Sequence, residues 1–113
     1  MSVLDPHLAD GPHAWRDGRV FVKDGDRLFL EGTDTLAGSV VTLDTCVRNF
    51  ARFTGCALGH ALLCATLRPA QCLGLAHAKG TLRPGADADL VVMSHDGTVL
   101  QTWVRGALAW ARE

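Results

Sequence analysis

Residues 32–47 constrain the chain more than any other stretch. They read Gly-Thr-Asp-Thr-Leu-Ala-Gly-Ser-Val-Val-Thr-Leu-Asp-Thr-Cys-Val. A polar, glycine-punctuated loop runs into an apolar pattern of helical period: Val40, Leu43, Val47 and Phe50 on one stripe, Asp44, Arg48 and Arg52 on another. Ser39 precedes the first apolar residue, where an N-cap belongs, so the spacing predicts a helix over residues 40–53 with Ser39 as its cap. Gly38 permits close approach to the backbone, and the free N–H groups of a helix start favour polar ligands. Read from these residues alone, the corner is either a well-capped structural helix or a place to hold a small polar ligand.

Before this corner the pattern is extended. Residues 19–23 and 27–31 are β-prone, with Asp24-Gly25 as the turn pair between them, which predicts a hairpin over 19–31. Val20 and Val22 share one face, and Phe21 takes the other. Residues 1–16 are broken by Pro6, Gly11 and Pro12 and read as a loop or tail, with Asp17-Gly18 a turn. After the corner, Gly55 is the expected stop of the first helix. A second helix follows over 58–67 with Leu58, Ala61, Leu62 and Ala65 as its stripe, ending before Pro69, which opens a short third helix over 69–73. Past Gly80 the texture becomes strands: 90–93, then 99–105 after the Asp96-Gly97 turn, then 107–110 after Gly106. Hairpin, helices, then three strands is an α+β order. It divides into an irregular segment 1–18, a hairpin-and-helix segment 19–79 and a strand segment 80–113.

At 113 residues the chain suits one modest core, with roughly 65% of its unfolded surface buried on folding. A net charge of −1, from 11 basic and 12 acidic residues, offers no field for nucleic acid. No apolar run approaches the ~18 residues that cross a bilayer, and the first residues lack the pattern of a secretory signal. The four cysteines, at 46, 56, 64 and 72, are too widely spaced for a Cys-x-x-Cys metal knuckle. They read as buried free thiols, Cys46 and Cys64 among apolar helical residues, in a reducing, cytoplasmic setting.

Chemistry is harder to find. Metal-assisted hydrolysis needs clustered His, Cys or carboxylate ligands and a nearby acid/base group. His7, His13, His60, His77 and His95 form no His-x-His or His-x-x-x-His pair and read as solvated or packed histidines. Nothing marks Ser39 as a nucleophile, and no phosphate-cradling glycine motif is present.

The string Gly32-Thr33-Asp34-Thr35-Leu36-Ala37-Gly38-Ser39, with Asp44-Thr45-Cys46-Val47-Arg48, resembles the corresponding segment of the N-acetylglucosamine-6-phosphate deacetylases of the amidohydrolase superfamily. Leu67-Arg68-Pro69-Ala70-Gln71 and the run from Gly80 to Val92 match in order, the latter being common to many amidohydrolases. The resemblance covers residues 15–110. It implies the C-terminal end of a (β/α)8 barrel metal-dependent hydrolase: residues 40–74 as closing helices, residues 86–111 as strands of a small β-sandwich, and the hairpin as an excursion near the barrel mouth. It implies that Leu36, Ala37 and Gly38 line the amino-sugar pocket.

The same resemblance places the metal ligands, one Glu and two His, upstream of this chain, together with the phosphate-gripping residues and a catalytic Asp in a Thr-Asp-Ala context. Neither Asp5 nor Asp34 stands in that context. A divalent metal such as zinc is therefore implied for the complete enzyme and none for this chain. The implied partners are an amino-sugar phosphate, the upstream portion and a second copy, with no nucleic acid or membrane. Two rivals stand beside this reading: a non-catalytic interaction module, and a piece of another amidohydrolase.

Overall fold

The computed structural model describes Asp5 and residues 7–113. The architecture is α+β, and it divides into two compact units, residues up to Leu43 and Asp44–Glu113.

The first unit is an antiparallel meander in the order β1-β2-β3-β4, with β1 Gly11–Ala14, β2 Val20–Asp24, β3 Arg27–Leu30 and β4 Leu36–Ser39. The hairpin expected over 19–31 is β2–β3. Its two-residue loop is Gly25-Asp26, one position later than Asp24-Gly25, because Asp24 still pairs with Arg27. Gly25, at φ 56°, supplies the positive φ that a type II′ turn needs at its first position. Phe21 does oppose Val20 and Val22, and its face is the buried one. Phe21 and Leu28 form the core with Val40, and Trp15 meets Phe21 edge-to-face at 5.6 Å.

Two strands correct the sequence reading. Residues 11–14, expected to be irregular, form β1: Gly11 and Pro12 are tolerated because β1 is an edge strand bonded only to β2. Within the rest of the expected tail, Met1–Leu4 and Pro6 lie outside the described residues. The expected loop before the first helix contains β4. Ser39 is therefore the last residue of a strand and not a helix cap. Its Oγ does accept an N–H, that of Val41 at 3.1 Å, the short-range turn bond that Ser favours outside helices.

In the second unit α1 spans Leu43–Thr54, α2 Leu58–Ala65 and α3 Leu67–Cys72. Helix α1 starts three residues later than its apolar stripe suggests, because Val40 belongs to the first unit's core, where its N–H reaches Asp26 O at 3.4 Å. Of the expected stripe within α1 only Val47 is buried, while Leu43 and Phe50 stay exposed. Gly55, at φ 71°, closes α1 as expected, its N–H reaching Ala51 O at 2.9 Å. Ala61 is the buried residue of α2. The break before α3 falls at Thr66, earlier than Arg68. Thr66 turns its hydroxyl back onto Leu62 O at 2.8 Å, and Pro69 then occupies the third position of α3, where its missing N–H has no helical partner to lose. The cysteines are free, but Cys64 and Cys72 are exposed, contrary to the buried reading. Each lies on a helix face that no described residue covers.

Strands β5 Leu90–Met93, β6 Val99–Val104 and β7 Ala107–Ala111 form the antiparallel sheet β5-β6-β7, close to the runs expected. The β6–β7 loop is Arg105-Gly106 with φ 51° and 76°, the pair of positive values that a type I′ turn demands. Among the described residues no helix is long and apolar enough to cross a membrane.

Candidate functional site

The residues singled out as pocket wall, Leu36, Ala37 and Gly38, lie together on β4, the edge of the first sheet. Phe29 pairs with Leu36, while Leu28 pairs with Gly38 and Arg27 with Ser39. Ala37 is the surplus residue between these registers, so the segment is a β-bulge. A bulge leaves a residue out of the ladder and re-aims its neighbours, a device common next to ligand sites. Leu36 is 63% exposed, and among the described residues no strand pairs with the outer edge of β4. The segment thus presents an apolar side chain on the edge strand of the described sheet.

A closed loop delivers the chain to this bulge. Thr33 N–H and Oγ1–H both donate to Leu30 O, at 3.1 and 3.0 Å. Thr35 N–H donates to Thr33 Oγ1 at 3.1 Å, and Leu30 N–H to Thr35 O at 3.0 Å. Gly32, Thr33 and Asp34 also line a concavity of about 450 Å³, together with Gly11, Val22 and Lys23. Lys23 is 7% exposed, and its Nζ holds Asp10 at 2.6 Å. The Lys23 ammonium beside Asp10, with the Gly25 N–H, keeps that carboxyl below its ordinary range. The sequence shows this loop only as polar and glycine-punctuated; the pairing of β4 with β3 reveals what its residues hold.

The other polar cluster lies in the second unit. Lys79 Nζ bridges Asp87, at 2.7 Å, and Asp89. Asp89 also accepts the Arg105 N–H at 2.9 Å, and Ala88 O accepts that of Gly106 at 2.9 Å, so the β6–β7 turn is tied to the approach to β5. Hydrogen bonding to Lys79 lowers the Asp89 carboxyl, and bonding to Asp87 and Asp89 raises the Lys79 ammonium. Every member is engaged in holding a turn, which accounts for the Ala-Asp-Ala-Asp run without any chemistry. At the other end of that sheet, Arg48 bonds Asp44, Thr45 Oγ1 and the carbonyl of Gly97, at 2.7, 2.7 and 2.9 Å, fastening the β5–β6 turn to α1.

Among the described residues, no three His, Cys, Asp or Glu side chains gather closely enough to hold a metal ion. The ring of His13 is occupied by Ala9 O at 2.8 Å. The described residues therefore do not fit a hydrolytic metal centre.

The amidohydrolase family profile matches residues 11–109. An N-acetylglucosamine-6-phosphate deacetylase of Bos taurus is 46% identical over 106 residues, which is 94% of this chain and 26% of the bovine protein. The crystal structure of an N-acetylglucosamine-6-phosphate deacetylase from Thermotoga maritima matches with a TM-score of 0.81 at 30% identity, over 94% of this chain and 28% of that one. A mutant deacetylase from Mycobacterium smegmatis, solved in complex with N-acetyl-D-glucosamine-6-phosphate, matches with a TM-score of 0.76 at 31% identity, over 95% and 28%. The chain spans about a quarter of the length of the curated relatives it matches.

Proposed function

The chain belongs to the amidohydrolase family, and from that premise we propose that it is the C-terminal part of an N-acetylglucosamine-6-phosphate deacetylase in which Leu36, Ala37 and Gly38 wall the amino-sugar pocket. The observation that carries the proposal is the bulge at Ala37, set on the edge strand of the described sheet, within a stretch that resembles the deacetylases. Edge-strand amides and carbonyls can hydrogen-bond an acetamido group, and Leu36 can cover its methyl. Holding the amide in one orientation is worth a large share of a hydrolytic barrier.

Amidohydrolases generally use a divalent metal, which supplies an activated water and polarises the carbonyl. The described residues assemble no ligand set for it, so this chain is assigned binding and orientation and no step at the metal. In this proposal residues 19–79 belong to the barrel part and residues 80–113 to the sandwich part. The upstream portion is the polypeptide partner and an amino-sugar phosphate the small-molecule one, with a second copy completing the assembly. The enzyme works in the cytosol, where its free thiols stay reduced.

The test is a chimera: the quarter of the bovine deacetylase that this chain matches is replaced by this chain. Metal content, thermal unfolding and acetate release from N-acetylglucosamine 6-phosphate are then measured. We expect release of acetate. A folded, metal-loaded chimera that releases none would overturn the proposal. Hydrolysis of a different amide alone would move the chain to another branch of the family.

A further inference from the structure

We propose that Thr33 is a positioning residue that selects the bulged register of β4. The inference rests on the reading of Leu36–Gly38 as pocket wall. A strand with one surplus residue has two ways to lie. In the observed register Ala37 bulges, Leu36 faces Phe29 and the loop between β3 and β4 comprises residues 31–35. In the alternative the surplus is absorbed by the loop: Ala37 faces Phe29, the ladder runs straight from Leu28–Gly38, and Leu36 moves opposite Leu30 in place of Thr35. A one-residue slip exchanges the faces on which side chains point, so the two registers present different walls.

What decides between them is the tie at the loop. The absorbed register lengthens the loop by one residue and must break the Leu30 N–H bond to Thr35 O, because Thr35 could no longer face Leu30. Four hydrogen bonds resist this, and three of them involve Thr33: two donated to Leu30 O and one accepted from Thr35 N–H. Its hydroxyl acts as donor and acceptor at once, so a single oxygen closes both sides of the loop. Gly32, at φ 74° with open space where a Cβ would be, provides the turn in the backbone and adds no packing of its own. Each such bond is worth roughly a fivefold change in an equilibrium constant. Losing the hydroxyl removes two of the four bonds and shifts the register equilibrium toward the straight ladder by roughly 25-fold.

The experiment uses the chimeric enzyme with Thr33→Val, which keeps the shape and removes the hydroxyl, and Thr33→Ser, which keeps the hydroxyl. Steady-state kinetics with N-acetylglucosamine 6-phosphate are combined with hydrogen exchange of the amides of residues 34–38. For Thr33→Val, KM should rise roughly five- to tenfold with kcat within about twofold, and exchange over 34–38 should quicken. Thr33→Ser should return both to the parent values. Faster exchange with KM unchanged would make Thr33 merely structural, and raised KM with exchange unchanged would make it a direct contact; either overturns the inference. If Thr33→Val does not fold, Thr33→Ala removes the same hydroxyl in its place, and unchanged KM and exchange there overturn the inference as well. If the parent chimera is inactive, the deacetylase reading falls, while the exchange comparison still tests the register.

Discussion

Gly80 gives the sharpest quantitative test of the second unit. A Cβ at this position would lie 2.8 Å from Thr66 O, 2.9 Å from Leu67 Cα and 3.0 Å from Ala70 Cβ. The first two are backbone atoms at the α2–α3 junction and cannot rotate away. Gly80 also sits at φ 82°, so Gly80→Ala meets two separate costs. The left-handed backbone costs an L-residue about 1–2 kcal/mol, and forcing an extra group into a closed contact costs about 1–3 kcal/mol. Gly85 is the control. Its φ is 89°, yet nothing lies within 4 Å of its Cβ direction, so Gly85→Ala carries only the first cost. Both substitutions lose the same unfolded-state flexibility, and that contribution cancels between them. The expected difference is the contact alone, about 1–3 kcal/mol, or roughly 4–12 °C in Tm for a chain of this size. The assay is urea and thermal unfolding of the chain at submicromolar concentration, followed by the fluorescence of Trp103 and Trp110 on β6 and β7. Equal destabilisation by the two substitutions would refute the close approach of Gly80 to the helix junction.

The Lys79 clamp sets a pH window. The folded Asp89 carboxyl titrates below its unfolded value because Lys79 bonds it, so its contribution is present above the unfolded carboxylate pKa and is lost as pH falls through the folded one. The folded Lys79 titrates above its unfolded value because Asp87 and Asp89 bond it, so its contribution is present below the unfolded lysine pKa and is lost as pH rises through the folded one. Stability should therefore fall at both extremes, and Asp89→Asn should flatten the acid limb; an unaltered acid limb would deny the clamp a role. In the chimera, Gly38→Val should lower kcat/KM for N-acetylglucosamine 6-phosphate in a folded enzyme whose Tm falls somewhat, since Gly38 sits at φ 157°, and equal kcat/KM would make the segment purely structural. The chain alone should not hydrolyse N-acetylglucosamine 6-phosphate with or without added Zn²⁺, and metal-dependent acetate release by purified chain would contradict this. Because Leu43, Phe53, Leu73 and Leu82 stand 67–83% exposed, each forfeiting about 1.5–3 kcal/mol of burial, the chain alone should self-associate at higher concentration. Its soluble yield should rise when the upstream portion is co-expressed; size-exclusion chromatography showing a monodisperse monomer throughout would count against it.

What the amino-acid order determined by itself is local. Glycines and aspartates placed the turns at 24–26 and 96–97, Gly55 stopped α1, and the apolar runs at 90–93 and 99–104 became strands, because these outcomes depend on φ preferences and on periods read within a few residues. The stretch 32–39 was also legible as the place to look, since its resemblance lies in the string itself. Its form was not. Residues 36–39 read as loop because Leu-Ala-Gly-Ser has weak strand propensity, and β4 exists only because β3 offers it an edge to pair with. The bulge at Ala37 is likewise a mismatch between two strands, a property of neither alone. Ser39 lost its cap, Thr33 gained its tie to Leu30, and Lys79 found Asp87 and Asp89 for the same reason: a hydrogen bond is chosen among partners that pairing and packing bring near. Val40 shows the boundary most clearly. Its helical spacing is real, yet its N–H goes to Asp26 and its side chain to the first unit's core, because burying a valine there outweighs three further residues of helix.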